Sequence, residues 1–178
     1  AGIAFIHQEL NLVRDLSIGE NIFIGREPVS GNGRILWNKI YENSKYWLNK
    51  IGLKEDPREL VRNLSVGKQQ LIEIAKALSL DAKIIIMDEP TTGLHLSDIE
   101  KLMKLFDLIV SRGNTLIIIE HNLDVIKQAD WLIDIGPDGG KNGGEVVFQG
   151  TPAEMAEYSQ TLTADSLRQS INPEKNPL

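Results

Sequence analysis

The chain has 178 residues, a formal net charge of −6 and no cysteine. This length suits one domain, alone or with a small subdomain, and the absence of cysteine excludes disulfides and thiolate zinc sites. An acidic balance argues against a broad nucleic-acid-binding face, and three widely spaced histidines do not predict a histidine-rich metal site. No apolar run has the length of a membrane span and no signal peptide is visible, so we expect a soluble, cytoplasmic chain.

The first half of the sequence predicts one short strand and two long helices. GIAFIHQ, near the start, is an apolar run with a polar exit and predicts a strand, and REPVSGNGR predicts a loop. Residues 36–53 carry apolar side chains at a spacing of three to four and predict an amphipathic helix that ends near Gly52. LSVGKQQLIEIAKALSL predicts a second helix, with Ser65 as its cap. The similar stretch LSIGE, at 16–20, leads into ENIFIGREP, which we interpret as a loop.

Strands and helices alternate in the second half. AKIIIM and NTLIIIEH predict strands of a parallel sheet that is covered on both faces. The helix between them, LSDIEKLMKLFDLIVSRG, has a capping box of Ser97 and Glu100 and ends at Gly113. NLDVIKQA predicts a short helix capped by Asn122, WLIDIGP a third strand, EVVFQG a hairpin strand, and TPAEMAEY a helix capped by Thr151 with Glu154. INPEKNPL, the last residues, predicts a frayed tail. The fold class is therefore α/β with parallel strands and an inserted helical subdomain.

Polar side chains follow three of the predicted strands. Asp88 and Glu89 end the run IIIM, His121 follows TLIIIE, and Gln8 follows the first strand. Ligands of parallel sheets lie beyond the carboxyl ends of the strands. One acid can hold Mg²⁺ and the next can orient or deprotonate a water molecule. Each of these side chains alone would be an ordinary polar strand exit, and only their context favours a site.

The start of the helix at LSVGK predicts an anion-binding position. Backbone N–H groups at a helix start attract negative charge, and a Ser65 hydroxyl adds a donor. Gly67 would let an anion approach the backbone closely. A plain serine cap is the alternative interpretation. GPDGGKN, at 136–142, is similar to a phosphate loop but has three residues between its glycines and asparagine after its lysine, so we interpret it as a turn.

In this order, the motifs resemble those of the ATP-binding cassette (ABC) ATPases. The resemblance places Gln8 on the Q-loop of that family. It places LSVGK on the signature motif, where it implies nucleotide contacts for Ser65, Val66, Gly67 and Lys68. Lys68 departs from the Gln or Glu that is usual in the family, and it would add positive charge near a phosphate.

The same resemblance covers the residues after the second predicted strand. IIIMDEP is similar to the Walker B strand, which implies that Asp88 holds Mg²⁺ together with Gln8 and that Glu89 is the catalytic base. TTGLH falls on the D-loop, and His121 falls on the switch histidine, the second catalytic residue. The family fold implied is the C-terminal part of a P-loop NTPase core. ATP and Mg²⁺ are the implied cofactors, and the implied partner is a second cassette, bound head to tail.

Two families are similar to different parts of the sequence. Residues 1–90 resemble the ATPase subunits of ribose- or galactose-type sugar importers. Residues 90–160 resemble the C-terminal region of the excinuclease A subunit of nucleotide excision repair. The change falls within about 87–93, where both families share DEPT, so we interpret the chain as a chimera, with a single natural lineage as the alternative.

The resemblance leaves three functions open. The first is an ATPase fragment that couples hydrolysis to sugar import and docks on membrane permease subunits, at the inner face of the membrane. The second is an ATPase fragment of a larger DNA-repair protein, and the third is a non-enzymatic folded module, natural or engineered. A Walker A loop does not occur in these residues, so we expect the 178-residue chain alone to bind ATP weakly and to hydrolyse little. We also expect an exposed sheet edge and exposed apolar helix faces, which favour aggregation, dimerisation or a rearranged core.

The resemblance also implies a division of the chain into four parts. Residues 1–25 hold the Q-loop strand and a linker, and residues 26–80 form the helical subdomain with the signature. Residues 81–150 form the α/β core, and residues 151–178 form a C-terminal helix and tail. We expect the segments 84–89 and 64–67 and the residue His121 to lie around the outer end of a triphosphate.

Overall fold

The computed structural model describes residues 2–136 and 144–171. The described residues form two compact units, Ala1–Ile119 and Glu120–Leu178. The elements of the first unit are β1 (Ile3–Ile6), α1 (Ile18–Phe23), α2 (Trp37–Lys50), a 3₁₀ turn (Val61–Asn63), α3 (Val66–Ser79), β2 (Ile84–Asp88), α4 (Leu96–Ser111) and β3 (Thr115–Ile119). Those of the second unit are α5 (Leu123–Ile126), β4 (Leu132–Gly136), β5 (Glu145–Gly150), α6 (Pro152–Tyr158) and α7 (Leu162–Ile171). The predicted four-part division of the chain stays a prediction.

A three-stranded parallel sheet organises the first unit. Its order is β1-β2-β3, with Ile3 opposite Ile84 and Ile84 opposite Thr115. The chain crosses from β1 to β2 through the helices α1, α2 and α3, and from β2 to β3 through α4. This arrangement confirms the predicted α/β class with parallel strands and helices inserted between residues 36 and 80.

The two faces of this sheet differ in burial. On one face Ala4, Ile6, Ile85 and Met87 pack into the main core together with buried side chains of the helices. On the other face Ile3, Phe5, Ile117 and Ile119 remain exposed. The expectation of a sheet covered on both faces is therefore wrong for the described residues, because only one face meets the helices of this unit.

A short helix replaces the loop that we predicted after residue 17. Ser17 accepts a hydrogen bond from the Glu20 backbone, and the Glu20 carboxylate accepts one from the Ser17 N–H at 2.8 Å, which completes a capping box. Gly19 lies against α2, where a Cβ atom would approach the Ser44 Oγ to 3.2 Å. The missing side chain of Gly19 thus lets α1 pack closely on α2.

The described residues of the second unit form an antiparallel pair of strands and three helices. β4 pairs with β5, with Leu132 opposite Gly150, which confirms the predicted hairpin strand. β4 pairs with β5 and does not extend the parallel sheet. The small buried core of this unit consists of Met155, Ala164 and Leu167. The predicted turn at GPDGGKN after Gly136, and the predicted tail after Ile171, lie outside the described residues.

The observed helix starts show which of the predicted N-caps are formed. Asn122 caps α5 through the Asp124 N–H, and Thr151 forms a capping box with Glu154, both as predicted. The Ser97–Glu100 box is wrong: α4 begins at Leu96, and His95 holds the extended conformation of a cap. Ser97 is therefore already inside the first turn, where its backbone is helical and its hydroxyl cannot cap.

Candidate functional site

The carboxyl end of β2 places two acids at the edge of the sheet. Asp88 is the last residue of β2 and lies opposite Ile119 of β3. Glu89 follows with a left-handed φ of 43°, which is uncommon for a residue with a side chain. Its N–H still donates to the Ile119 carbonyl at 2.9 Å, so the chain turns sharply without losing contact with β3. This turn directs the chain away from the sheet directly after the two carboxylates.

Gln8 meets Glu89 at this edge. Its Nε2 donates a hydrogen bond to the Glu89 Oε2 at 2.8 Å, although 81 positions separate the two residues. The Thr92 hydroxyl donates to the same oxygen at 3.1 Å. Because β1 and β2 are parallel neighbours, their carboxyl ends lie side by side, and this places the two side chains in contact. Two donors thus orient the same oxygen of the Glu89 carboxylate.

The donor set at this edge suits magnesium. Mg²⁺ takes oxygen ligands and keeps several waters, so one or two protein oxygens together with substrate phosphates are sufficient. The Asp88 carboxylate and the Gln8 amide oxygen are ligands of that kind. Among residues 2–136 and 144–171, no group of three or more His, Cys, Asp or Glu side chains could hold a metal by itself. The site therefore fits a metal that arrives with a phosphate ligand.

The start of α3 borders an open cleft of about 300 Å³. Ser65, Gly67 and Lys68 line the cleft from one side, and Asp98 and Lys101 of α4 line it from the other. Within the described part of the chain, Gln8, Asp88 and Glu89 do not border this cleft. The predicted convergence of segments 84–89 and 64–67 around one triphosphate stays a prediction. Val66, half exposed, begins the helix between Ser65 and Gly67.

A carboxylate already lies against Gly67. A Cβ atom at this position would lie 3.1 Å from the Asp98 Oδ2, so the absence of a side chain makes room for this carboxylate, and the approach of a phosphate to Gly67 stays a prediction. The Lys68 ammonium forms an ion pair with the Glu55 Oε1 at 2.6 Å. That hydrogen bond raises the pKa of Lys68. The positive charge that we expected to face a phosphate is therefore engaged by Glu55.

His121 belongs to the second unit. Its backbone N–H and that of Asn122 both donate to the Glu120 Oε2, at 3.0 and 3.1 Å. The carboxylate of Glu120 thus holds the turn that leads from β3 toward α5. The role of His121 beside a phosphate stays a prediction.

The Ser65 hydroxyl should contribute little to the free energy of unfolding. Ser65 occupies the cap position of α3, but its side chain makes no capping hydrogen bond, whereas Thr151 makes a complete capping box. We therefore expect Ser65→Ala to change the free energy of unfolding by less than about 0.5 kcal/mol. The matched control, Thr151→Ala, should cost about 1 kcal/mol. Urea unfolding of both variants checks this, and equal losses would show that Ser65 is an ordinary cap.

The sequence interpretation missed Glu73. This residue lies on the buried side of α3, only 7% exposed, and its Oε1 has no hydrogen-bond partner. Burial raises its pKa above the ordinary value of 4.5, while Lys76, the Asn11 backbone and His7 oppose that shift. An acid inside the apolar run LIEIA was the signal available in the sequence.

The raised pKa of Glu73 predicts that the stability of the protein depends on pH. Because its pKa is higher in the folded chain than in the unfolded chain, the folded state binds the proton more tightly. The contribution of this residue therefore favours folding below pH 4.5 and is lost as the pH rises through the raised pKa. We expect Glu73→Gln to gain stability relative to the native chain as the pH increases from 4 to about 8. Urea midpoints across this range check it, and a constant difference between the two chains would contradict it.

Comparison with known proteins shows the family of the chain. An open parallel sheet with acidic and amide side chains beyond its carboxyl ends belongs to the class of α/β proteins that bind ligands at that edge. Residues 1–92 match the family model of the ABC transporter, and the chain belongs to that family. This confirms the family that the motifs indicate. None of the helices in the described ranges is long and apolar enough to cross a membrane.

Relatives of two kinds align with the chain. The xylose import ATP-binding protein XylG of Geobacillus kaustophilus is 48% identical over 78% of this chain and 27% of its own length. The UvrABC system protein A of Rickettsia bellii is 47% identical over 70% of this chain and 13% of its own length. The chain thus spans about a quarter or less of the curated relatives that it matches. The ATP-binding cassette MJ0796, solved as a dimer with ADP and Pi, superposes with a TM-score of 0.60 at 28% identity, over 74% of this chain and 57% of that one.

The two alignments can be compared with the predicted change of family resemblance near residue 90. Segments that cover 78% and 70% of one chain must overlap, so neither kind of relative is confined to one half. The resemblance to sugar-import ATPases and the resemblance to excinuclease A are both confirmed. The chimeric origin stays a prediction.

Proposed function

We propose that the chain is part of an ATP-binding cassette ATPase that couples hydrolysis of Mg-ATP to sugar import. The hydrogen bond of 2.8 Å between Gln8 and Glu89 carries this proposal. It joins the ends of two strands, and so places a polar amide beside the acid that follows the buried strand β2. The identity of 48% to a xylose import protein supports sugar as the cargo class.

Asp88 and Glu89, the two acids at the sheet edge, have different roles in the proposed reaction. Mg²⁺, when bound, neutralises charge on the phosphates, and Asp88 with Gln8 would hold it. Glu89 accepts a proton from the water molecule that attacks the terminal phosphorus. The bond between that phosphorus and the oxygen of ADP breaks, and the products are ADP and phosphate. Gln8 and Thr92 keep the Glu89 carboxylate in one orientation through the reaction.

The start of α3 serves a different nucleotide in this proposal. The cleft at Ser65, Gly67 and Lys68 is not bordered by Gln8 or Glu89, which suits a second cassette that is bound head to tail. The N–H groups and the Ser65 hydroxyl would then contact the terminal phosphate held by the partner cassette. Lys68 reaches that phosphate only after it leaves Glu55. His121 would donate a hydrogen bond to a phosphate oxygen in its own cassette.

The test of the proposed function is ATP turnover in the full-length gene product. We expect Mg-dependent release of phosphate that is lost in Glu89→Gln, and capture of a sugar permease in a pull-down. The 178-residue chain itself should release little phosphate, a prediction that the same assay checks. Absence of turnover in the full-length gene product would overturn the proposal and favour a folded module without enzymatic function.

A DNA-repair ATPase is the second candidate. The identity of 47% to the UvrABC system protein A favours it. The net charge of −6 argues that DNA contacts would come from other parts of such a protein. Salt-sensitive DNA binding by the full-length gene product, without capture of a permease, would favour this candidate over sugar import.

A further inference from the structure

Helices α1, α3 and α6 begin after a hydroxyl residue in nearly the same extended backbone conformation. The ψ angle is 164° at Ser17, 157° at Ser65 and 159° at Thr151. At Ser17 and Thr151 the side chain caps its helix, and a glutamate three residues later accepts the N–H of the cap residue at 2.8 Å. The side chain of Ser65 makes no capping hydrogen bond. Its backbone conformation is therefore not the reason why Ser65 does not cap.

Gln69 holds the start of α3 in a different way. Its Nε2 donates to the Leu64 carbonyl at 2.8 Å, and its backbone N–H donates to the Ser65 carbonyl at 3.0 Å. The Leu64 carbonyl and the Ser65 N–H belong to one planar peptide group. A bond to that carbonyl therefore fixes the same peptide that a capping box fixes through the N–H. An amide thus holds this peptide without the help of the serine hydroxyl.

Lys68 occupies the position in α3 that a glutamate has in α1 and α6. A lysine ammonium only donates hydrogen bonds, so it cannot accept one from the Ser65 N–H. It pairs with the Glu55 Oε1 at 2.6 Å. A capping box here would use the Ser65 hydroxyl and add a carboxylate beside that of Asp98, where we propose that a phosphate binds. The neutral amide of Gln69 holds the helix start without either effect.

We propose that Gln69 is a positioning residue that replaces the serine cap of α3 and so keeps the Ser65 hydroxyl available as a donor. The value of an available hydroxyl rests on the proposed phosphate contact. The replacement of the cap does not, because it is a property of the chain without nucleotide. Once the Gln69 amide is removed, the Leu64–Ser65 peptide can turn, and the hydroxyl should become an ordinary cap.

The two side chains should therefore be coupled in the stability of the chain. In the native background we expect Ser65→Ala to change the unfolding equilibrium constant by less than about twofold. Gln69→Met keeps an unbranched side chain but removes the donor, and in this background Ser65→Ala should raise the constant by about fivefold. Urea unfolding of the four chains gives the coupling. Gln69→Glu, whose carboxylate only accepts, is a second background and should show the same coupling.

Hydrogen exchange separates this role from a merely structural one. The backbone N–H of Lys68, the third residue of α3, is the group that a Ser65 cap would bind, as Ser17 binds the N–H of Glu20. In Gln69→Met we expect this N–H to exchange about fivefold more slowly than in the native chain, as measured by NMR. Simple loss of support would make exchange at the start of α3 faster. Adding Ser65→Ala to Gln69→Met should abolish the slowing.

Two further variants are the controls. Gln69→Arg keeps N–H donors at this position, so the effect of Ser65→Ala should stay below about twofold. Ile72→Val weakens the packing of fully buried Ile72 in α3 but leaves the Gln69 bond intact, and it should also leave that effect unchanged. Absence of coupling in both Gln69→Met and Gln69→Glu would overturn the proposal, as would equal coupling in Ile72→Val.

These measurements use no ATP, so their result is independent of whether the cassette hydrolyses it. Turnover in the full-length gene product tests the proposed function separately. We expect Gln69→Met to lower kcat/KM there, because the hydroxyl of Ser65 is then engaged as a cap. Coupling in the unfolding experiment together with a native kcat/KM would support the positioning role of Gln69 and contradict the proposed phosphate contact of Ser65.

Discussion

Replacing Glu89 with Gln should lower the kcat for ATP hydrolysis in the full-length gene product by about 10²- to 10⁴-fold, while ATP still binds. The amide keeps the shape of the side chain and can still accept hydrogen bonds from Gln8 and Thr92. It cannot take the proton from the attacking water. Phosphate release at saturating Mg-ATP gives kcat, and equilibrium binding of a labelled nucleotide shows that the site remains intact.

Glu100→Gln is the matched control for this experiment. Glu100 is an exposed acid on α4, so the substitution makes the same change of charge away from the sheet edge. We expect its kcat to equal that of the native protein. A Glu89→Gln protein that retains more than about a tenth of native turnover would show that another group accepts the proton.

Ile85→Ala should cost about 2–5 kcal/mol of the free energy of unfolding. Ile85 is fully buried in the central strand β2 and faces the helices of the first unit. The truncation leaves a cavity that the surrounding core fills only in part. Urea unfolding followed by circular dichroism measures the loss.

Ile117→Ala is the matched control, because it removes the same atoms from the other face of the sheet. Ile117 is 48% exposed, so we expect a loss of about 1 kcal/mol or less. Equal losses in the two variants would show that the outer face is covered in solution, for example by a second copy of the chain. The pair of measurements thus tests the asymmetry of the sheet.

Local patterns were sufficient to predict most elements of the first unit. Continuous apolar runs identified β2 and β3, and apolar spacing identified α2, α3 and α4, because these signals depend on neighbours in sequence. The meeting of Gln8 and Glu89 also followed from the sequence, since parallel strands end at the same edge. Helix α1 was missed although its capping signal, Ser17 followed by Glu20, was present.

Other features of the site depend on contacts between distant residues. The partner of the Lys68 ammonium is Glu55, in the loop before α3. No periodicity indicates such pairs. The exposed face of the sheet was also unpredictable, because the apolar run of a strand does not show which of its two faces meets a helix.

The left-handed backbone at Glu89 has a consequence for how this protein tolerates mutation. A non-glycine residue in that conformation costs on the order of 1–3 kcal/mol, and glycine would relieve it. Selection for thermal tolerance alone should therefore drive residue 89 toward Gly or Asn, both of which lack the reach of glutamate to Gln8. Under the proposed role of Glu89 as the base, variants recovered from such a screen would be more stable but would not hydrolyse ATP.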